Sequence, residues 1–516
     1  MVPDWRQRPS LRHRAKRASE LNPQRPRRTL HPLFGRAQIR PAERFQSFKE
    51  KELPLEARAF KHAAVAGLCL LAAAGCATLP DTDALLERHT AQAVRFENAR
   101  GPLSAKQNVA VLAGLTRKSG DIDILEKQIA LEQEIVGSPL TLGNKVTLLQ
   151  DGAATYPAMF AAIRNARDHI NLETYIIEDD EIGRQFSDLL LEQQGRGVQV
   201  NVIYDSVGGF NTPKAFFERL TAGGIEVLEF NPLNPLASKA PWLINNRDHR
   251  KLLVVDGRTA FIGGINISSV YASGSASLRD KGGPGSNVAW RDTHIQIEGP
   301  VVGELQKLFM ETWEKQRGNP LAAKEYFPTL QAQGNDIVRA IGSTPDDPYS
   351  LMYLTLISAI GNAEKQVQLT NAYFVPDPQL LRSLTDAVRR GVDVKLILPS
   401  HSDSATVFHA GRSHYASLLE GGVKLYERGG ALLHSKTAVV DGVWSTVGST
   451  NLDWRSFLDN NEVNAVIIGR DFGQKMQAAF DADLAASEAI DPERWERRSL
   501  LFRFKEWMAR VWGRLL

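Results

Sequence analysis

The feature that most restricts this chain is a phrase that occurs twice. His249-Arg250-Lys251-Leu252-Leu253-Val254-Val255-Asp256 reads His-x-Lys-x4-Asp, and so does His434-Ser435-Lys436-Thr437-Ala438-Val439-Val440-Asp441. In each copy a glycine stands seven positions past the aspartate and leads to an asparagine: Gly263-Gly264-Ile265-Asn266 in the first, Gly448-Ser449-Thr450-Asn451 in the second. That many fixed terms at matched spacing are hard to obtain by chance. They require a fold built from two related halves.

On a strand, residues i and i+2 share a face. His249 and Lys251 therefore point the same way, as do His434 and Lys436. The apolar run Leu252 to Val255 reads as a buried strand, Asp256-Gly257 and Asp441-Gly442 as turns, and Phe261-Ile262 and Thr446-Val447 as the start of the return strands. Each copy is then a hairpin presenting one imidazole and one ammonium. Two imidazoles suit double displacement, one attacking and the other protonating the leaving group. Two lysines suit a phosphoryl group, whose equatorial oxygens carry the transition-state charge. A lone histidine would read as structural; the matched pair reads as chemistry. Asp256 and Asp441 are counted with the catalytic motif, although their place at a turn suits pinning the chain.

The doubled motif with its Gly-x-x-Asn tail resembles the phospholipase D superfamily over roughly residues 144–490. The phrases around it resemble bacterial cardiolipin synthases: Asn246 to Lys251, Phe261 to Asn266, Gly448 to Ser456, Pro399 to Asp403 and Asn460 to Asn464. The resemblance implies two pseudo-twofold-related α/β/α sandwich units with the active site at their interface. It implies phosphatidyl transfer through a phosphohistidine, with His249 attacking and His434 moving protons. It also implies that acids near Asp292 and Glu462 orient the histidines; as residues alone, each is an acid at the start of an apolar strand. Lys251 and Lys436, with Asn266, Ser449 and Asn451, are expected to hold phosphate oxygens.

The chain has 516 residues, 43% of them apolar, which suffices for two or more domains. Cys69 and Cys76 are its two cysteines, and both fall in one apolar stretch, so the body carries neither disulfides nor a thiolate metal site. No HExxH, EF-hand or Walker A pattern occurs, and we expect chemistry without a metal or other cofactor. Net charge is +3 and no basic groove interleaved with aromatics stands out in the body, so nucleic acid is not an expected partner.

Taken in order, residues 1–60 form a basic leader that reads as disordered. Residues 61–80 hold a short apolar run, less than the roughly 20 residues a spanning helix needs. Ala73-Ala74-Gly75-Cys76 is similar to a lipoprotein cleavage box that would acylate Cys76, though Ala73 stands where such boxes carry Leu; an uncleaved anchor or a core helix fits as well. Residues 81–143 are expected to be helical. Residues 144–318 form the first unit and 348–490 the second, joined by a proline-punctuated linker, 319–347. Matched phrases predict helices over 156–167, 181–195, 351–363 and 377–390. They predict strands from Ile170 to Ile177, Gln199 to Asp205, Val367 to Val375 and Asp393 to Leu398. The Gly/Ser-rich stretch 273–287 reads as a surface loop or as a gate. Residues 491–516 mix Trp, Phe and Leu with Arg and Lys, a composition that suits an amphipathic helix on an anionic lipid surface; a helix packed on the body is the alternative. The expected setting is a bacterial membrane, with phospholipids as substrates and the oligomeric state open. Water in place of a lipid acceptor would make the same site a phospholipid hydrolase.

Overall fold

Seven strands of the first half and seven of the second follow one plan. The first set is β1 (Leu140–Gln150), β2 (His169–Thr174), β3 (Gln199–Asp205), β4 (Glu226–Phe230), β5 (Lys251–Val255), β6 (Thr259–Gly263) and β7 (Thr293–Glu298). The second is β8 (Asp336–Ser343), β9 (Gln366–Asn371), β10 (Asp393–Pro399), β11 (Lys424–Arg428), β12 (Lys436–Val440), β13 (Trp444–Gly448) and β14 (Asn460–Ile468). In the first half, β4, β3 and β2 pair in parallel, and β5, β6, β7 and β1 add antiparallel. In the second, β11, β10 and β9 pair in parallel, and β12, β13, β14 and β8 add antiparallel. The computed structural model describes Leu79, Asp81, Thr82 and residues 94–119, 124–241, 243, 245–273 and 289–511, all within the compact unit Ala77–Leu516. The leader, the Cys76 segment and nearly all of the loop 273–287 lie outside the described residues.

Helices fill the crossovers because the sequence switches from a two-residue to a helical period between strands. Asp151–Arg164 and Glu181–Gly195 cover the first sheet; Leu351–Asn362 and Pro378–Arg389 cover the second. Glu181–Gly195 is capped by Asp180, whose side chain accepts from the Gly183 N–H, and Asp377 caps Pro378–Arg389 in the same way.

Alternation within β5 divides the core. Leu253 and Val255 pack with Phe160, Phe186 and Leu190 under the first half's helices. Leu252 and Val254 share a second cluster with Val439, Val447, Val463 and Ile467 from the other half. Each such side chain contributes about 1.5–3 kcal/mol on full burial, so the two halves are held by core rather than by a surface contact.

Two expected boundaries are corrected. The linker 319–347 contains β8, a core strand that pairs with β14 and, across a bulge, with β1. Flanking prolines obscured the run Ile337-Val338-Arg339-Ala340-Ile341. The helical region 81–143 does hold Ala105–Ser119 and Ile124–Val136, but β1 begins inside it and pairs in parallel with the strand Phe96–Asn98.

Asp256 and Asp441 are also corrected: neither stands with the histidines. Both have φ of 52°, a left-handed turn conformation that Asp tolerates. The Asp256 carboxylate accepts from the main-chain N–H of Arg167, Asp168 and His169 at 2.8–3.1 Å. Asp441 accepts from Glu364, Lys365 and Gln366 at 2.7–2.9 Å. Each tethers a hairpin turn to the loop entering the neighbouring strand. Asp441→Ala is expected to lower unfolding free energy by about 2–3 kcal/mol. Urea titration should show that loss, while turnover per folded molecule stays within about twofold.

Candidate active site

The histidines are brought together by two short ladders that cross between the halves. Arg247–Asp248 pairs in parallel with Asn460–Asn461, and Trp290–Arg291 pairs in parallel with Leu432–Leu433. The His249 N–H donates to the Asn461 carbonyl at 3.0 Å, and the His434 N–H to the Arg291 carbonyl at 2.7 Å. Each histidine-bearing segment is thus bonded to the strand that carries the other half's acid. His249 Nδ1–H donates to Glu462 Oε1 at 3.0 Å, and His434 Nδ1–H donates to Asp292 Oδ2 at 2.7 Å. Holding Nδ1 in this way fixes the tautomer and leaves Nε2 with its lone pair. Both rings line one cavity of about 290 Å³, with Asn266, Asn451, Tyr175, Tyr373, Trp290 and Arg455 among its other walls.

The two acids are positioned by different means. Ser449 donates its hydroxyl to Glu462 Oε2 and accepts from the Val463 N–H at 3.0 Å. Ser449 does not line the cavity, so its expected phosphate role is corrected to one of steadying Glu462. Gly264 occupies the matching position in the first motif. A Cβ there would lie 2.2 Å from Asp292 Oδ1. The shorter acid needs the closer backbone, and only glycine admits it.

Lys251 Nζ donates to the His249 carbonyl at 2.7 Å, and Lys436 Nζ donates to the His434 carbonyl. Both lysines are buried. Burial brings Lys251 down to about 7 and Lys436 down to about 8. Burial, reinforced by Lys251, lowers His249 to about 4, and burial with Lys436 and Lys251 lowers His434 well below its ordinary value. Burial lifts Asp292 to about 6 against the pull of Lys436. Burial also works on Glu462, but His249, Lys251 and Ser449 outweigh it and hold this acid below the usual range. At neutral pH the cavity is lined by two neutral imidazoles, with Lys436 mostly charged and Lys251 near its midpoint buried next to them.

Asn266 faces the cavity with both amide ends engaged: Oδ1 accepts from the Ile176 N–H at 3.2 Å and Nδ2 donates to Tyr271 Oη at 3.0 Å. Asn451 Oδ1 is buried without a protein partner. Several wall residues carried no sequence signal. Tyr175 meets His249 edge-on at 5.1 Å between ring centroids, and Tyr373 meets His434 at 6.0 Å. Tyr373 donates its hydroxyl to Asp403 at 2.6 Å. Thr174 pairs with Lys251 and Asn371 with Lys436, so Tyr175 is one residue past that pair and Tyr373 two. A search for matched positions misses them. Among the described residues no group of three or more His, Cys, Asp or Glu is placed to hold a metal ion.

A family model described as "Cardiolipin synthase, PLD-like domain" matches residues 159–274 and 356–484. A cardiolipin synthase of Geobacillus kaustophilus is 35% identical over 393 residues, covering 75% of this chain and 76% of that protein. One from Listeria monocytogenes is 35% identical over 385 residues, covering 74% and 77%. A Haemophilus influenzae phosphatidylserine synthase structure covers 75% of this chain and 98% of its own, at 14% identity and a TM-score of 0.52, a likeness of fold.

Asp292→Asn and Glu462→Gln are each expected to lower kcat by about 10²–10⁴, because an amide does not enforce the tautomer. Ser449→Ala should cost less and act through Glu462, so that it adds little in the Glu462→Gln background. Steady-state kinetics of the singles and the double variant measure this.

Proposed function

The chain belongs to the cardiolipin synthase, phospholipase D-like family, and from that premise we propose that it is a phosphatidyltransferase joining two phosphatidylglycerols into cardiolipin and glycerol. One observation carries the reading. Two imidazoles, each held at Nδ1 by a carboxylate from the opposite half, share one cavity with two buried ammoniums beside them.

In the first displacement, His249 Nε2 attacks the phosphorus of one phosphatidylglycerol. A P–N bond forms and the P–O bond to the head-group glycerol breaks. His434, which takes up a proton at Nε2 as the anionic phosphodiester binds, gives that proton to the departing oxygen. In the second, the hydroxyl of another phosphatidylglycerol loses its proton to His434, its oxygen bonds to phosphorus, and His249 departs. Burial with Lys436 and Lys251 keeps His434 neutral in the free site, against a smaller opposite pull from Asp403, and the phosphodiester's own negative charge favours the imidazolium it needs. The family resemblance favours His249 as the nucleophile. Lys251 and Lys436 lie where they can offset charge on the phosphoryl oxygens, with Asn451 as a further contact.

Phospholipids are the substrates on this reading, and the protein works on the surface of an anionic bacterial membrane rather than on nucleic acid. Among the described residues no helix is long and apolar enough to cross a membrane. Acylation at Cys76 would add an anchor. No metal or cofactor enters either displacement.

Phosphatidylglycerol vesicles with purified protein should yield cardiolipin and glycerol by mass spectrometry; phosphatidic acid as the product would replace transfer with hydrolysis. His249→Ala and His434→Ala should each reduce turnover by more than about 10³. The pH profile of kcat/KM should be a bell. As pH rises through about 7 and then about 8, Lys251 and Lys436 lose the charge that receives phosphate. As pH falls through about 6, Asp292 gains a proton and releases His434.

A further inference from the structure

The helix Leu500–Val511 is packed inside out. A surface helix ordinarily buries its apolar stripe and shows charge to water. This one buries Ala509 and Glu506, at 7% and 3% exposure, and leaves Leu500, Leu501, Phe504, Trp507 and Met508 between 41% and 80% exposed. At 3.6 residues per turn, those five side chains fall within an arc of roughly 120°. Arg503 and Arg510 flank the arc on one side and Lys505 on the other. On the buried face Ala509 packs against Val375, Ala410 and Val407, and Glu506 Oε2 accepts from Arg498 at 2.8 and 3.0 Å, while Glu506 Oε1 is buried without a hydrogen bond. Fixed from behind in this way, the helix holds its apolar side outward.

The flanks decide what covers that stripe. A second copy laid on it would set Arg503, Arg510 and Lys505 against their own kind, a like-charge contact that opposes pairing. An anionic head-group layer takes both cationic rows at once, while the apolar arc enters the acyl boundary and Trp507 sits near the polar interface.

The support beneath the helix adds an orientation. It rests on Ala405–Arg412, whose Val407 touches both the Ala509 cluster and the active-site cavity; Asp403 and Ser404, just before that helix, line the same cavity. A single helix, Ala405–Arg412, therefore stands between the cavity and the terminal helix. We propose that Leu500–Val511 lies in the head-group layer of an anionic bilayer and, through Ala405–Arg412, holds the cavity against the lipid surface. The docking stands on the helix itself; its value for catalysis rests on the lipid-substrate reading above.

The test uses the full chain and the triple variant Leu501→Ser, Phe504→Ser, Trp507→Ser, whose positions are all exposed and outside the cavity. Circular dichroism and thermal midpoint should match the parent. Vesicles of equal phosphatidylglycerol and phosphatidylcholine should slow amide hydrogen exchange in 500–511 of the parent. Phosphatidylcholine alone should do so far less, and the variant should bind the mixed vesicles at least tenfold more weakly. On those vesicles the variant's turnover should fall at least tenfold, yet stay within about twofold on dispersed dioctanoyl-phosphatidylglycerol. Unchanged exchange in 500–511 on vesicles overturns the docking, as does a parent dimer that the variant converts to monomer without any change on vesicles. Vesicle protection of 500–511 in a protein that converts neither lipid form would leave the docking standing and remove the transferase reading.

Discussion

The structure depends on an exchange: each imidazole in the cavity is held by a carboxylate that the other half supplies. Glu462, on β14 of the second half, holds His249; Asp292, just before β7 of the first, holds His434. The two short parallel ladders beside them tie the same segments main chain to main chain. Neither half has a complete histidine site by itself. The shared core around Leu252, Val254, Val447 and Val463 keeps the halves in the one register in which both crossings close.

That exchange also sets the electrostatics. Crossing two strands over one another excludes water from the histidines, the lysines and both acids, so burial is the largest influence on every one of them. The resulting site is neutral on its imidazoles and weakly held on its ammoniums, a charge balance that a bound anion would shift toward the protonated forms. The pseudo-twofold is not strict. Asp faces Gly264 on one side while Glu is steadied by Ser449 on the other, and Asp403 with Tyr373 stands near His434 alone. Such departures from symmetry let two equivalent rings take unlike parts.

The periphery obeys the same logic of faces. Strand alternation sends Leu253 to the helices and Leu252 to the other half, and helical periodicity sends Ala509 to the body and Trp507 outward. In the last helix the apolar side is the outer one, which sets it apart from the helices that close the two sandwiches.

Much was legible from local pattern. The doubled motif called for two related α/β halves, and the spacing placed Glu181–Gly195 and Gln199–Asp205 within the chain as they are found. Periodicity reports which residues share a face, and that is a local property. It does not report which distant segment a face meets. That Asp292 serves His434 rather than His249, that Ser449 serves an acid, that Asp256 and Asp441 tether turns away from the cavity, and that β8 joins the halves all follow from the packing of one half on the other. The sequence by itself determined the repeated unit and the residues able to do chemistry; the tertiary structure decided their partners, because a twofold crossing pairs groups that lie more than a hundred residues apart along the chain.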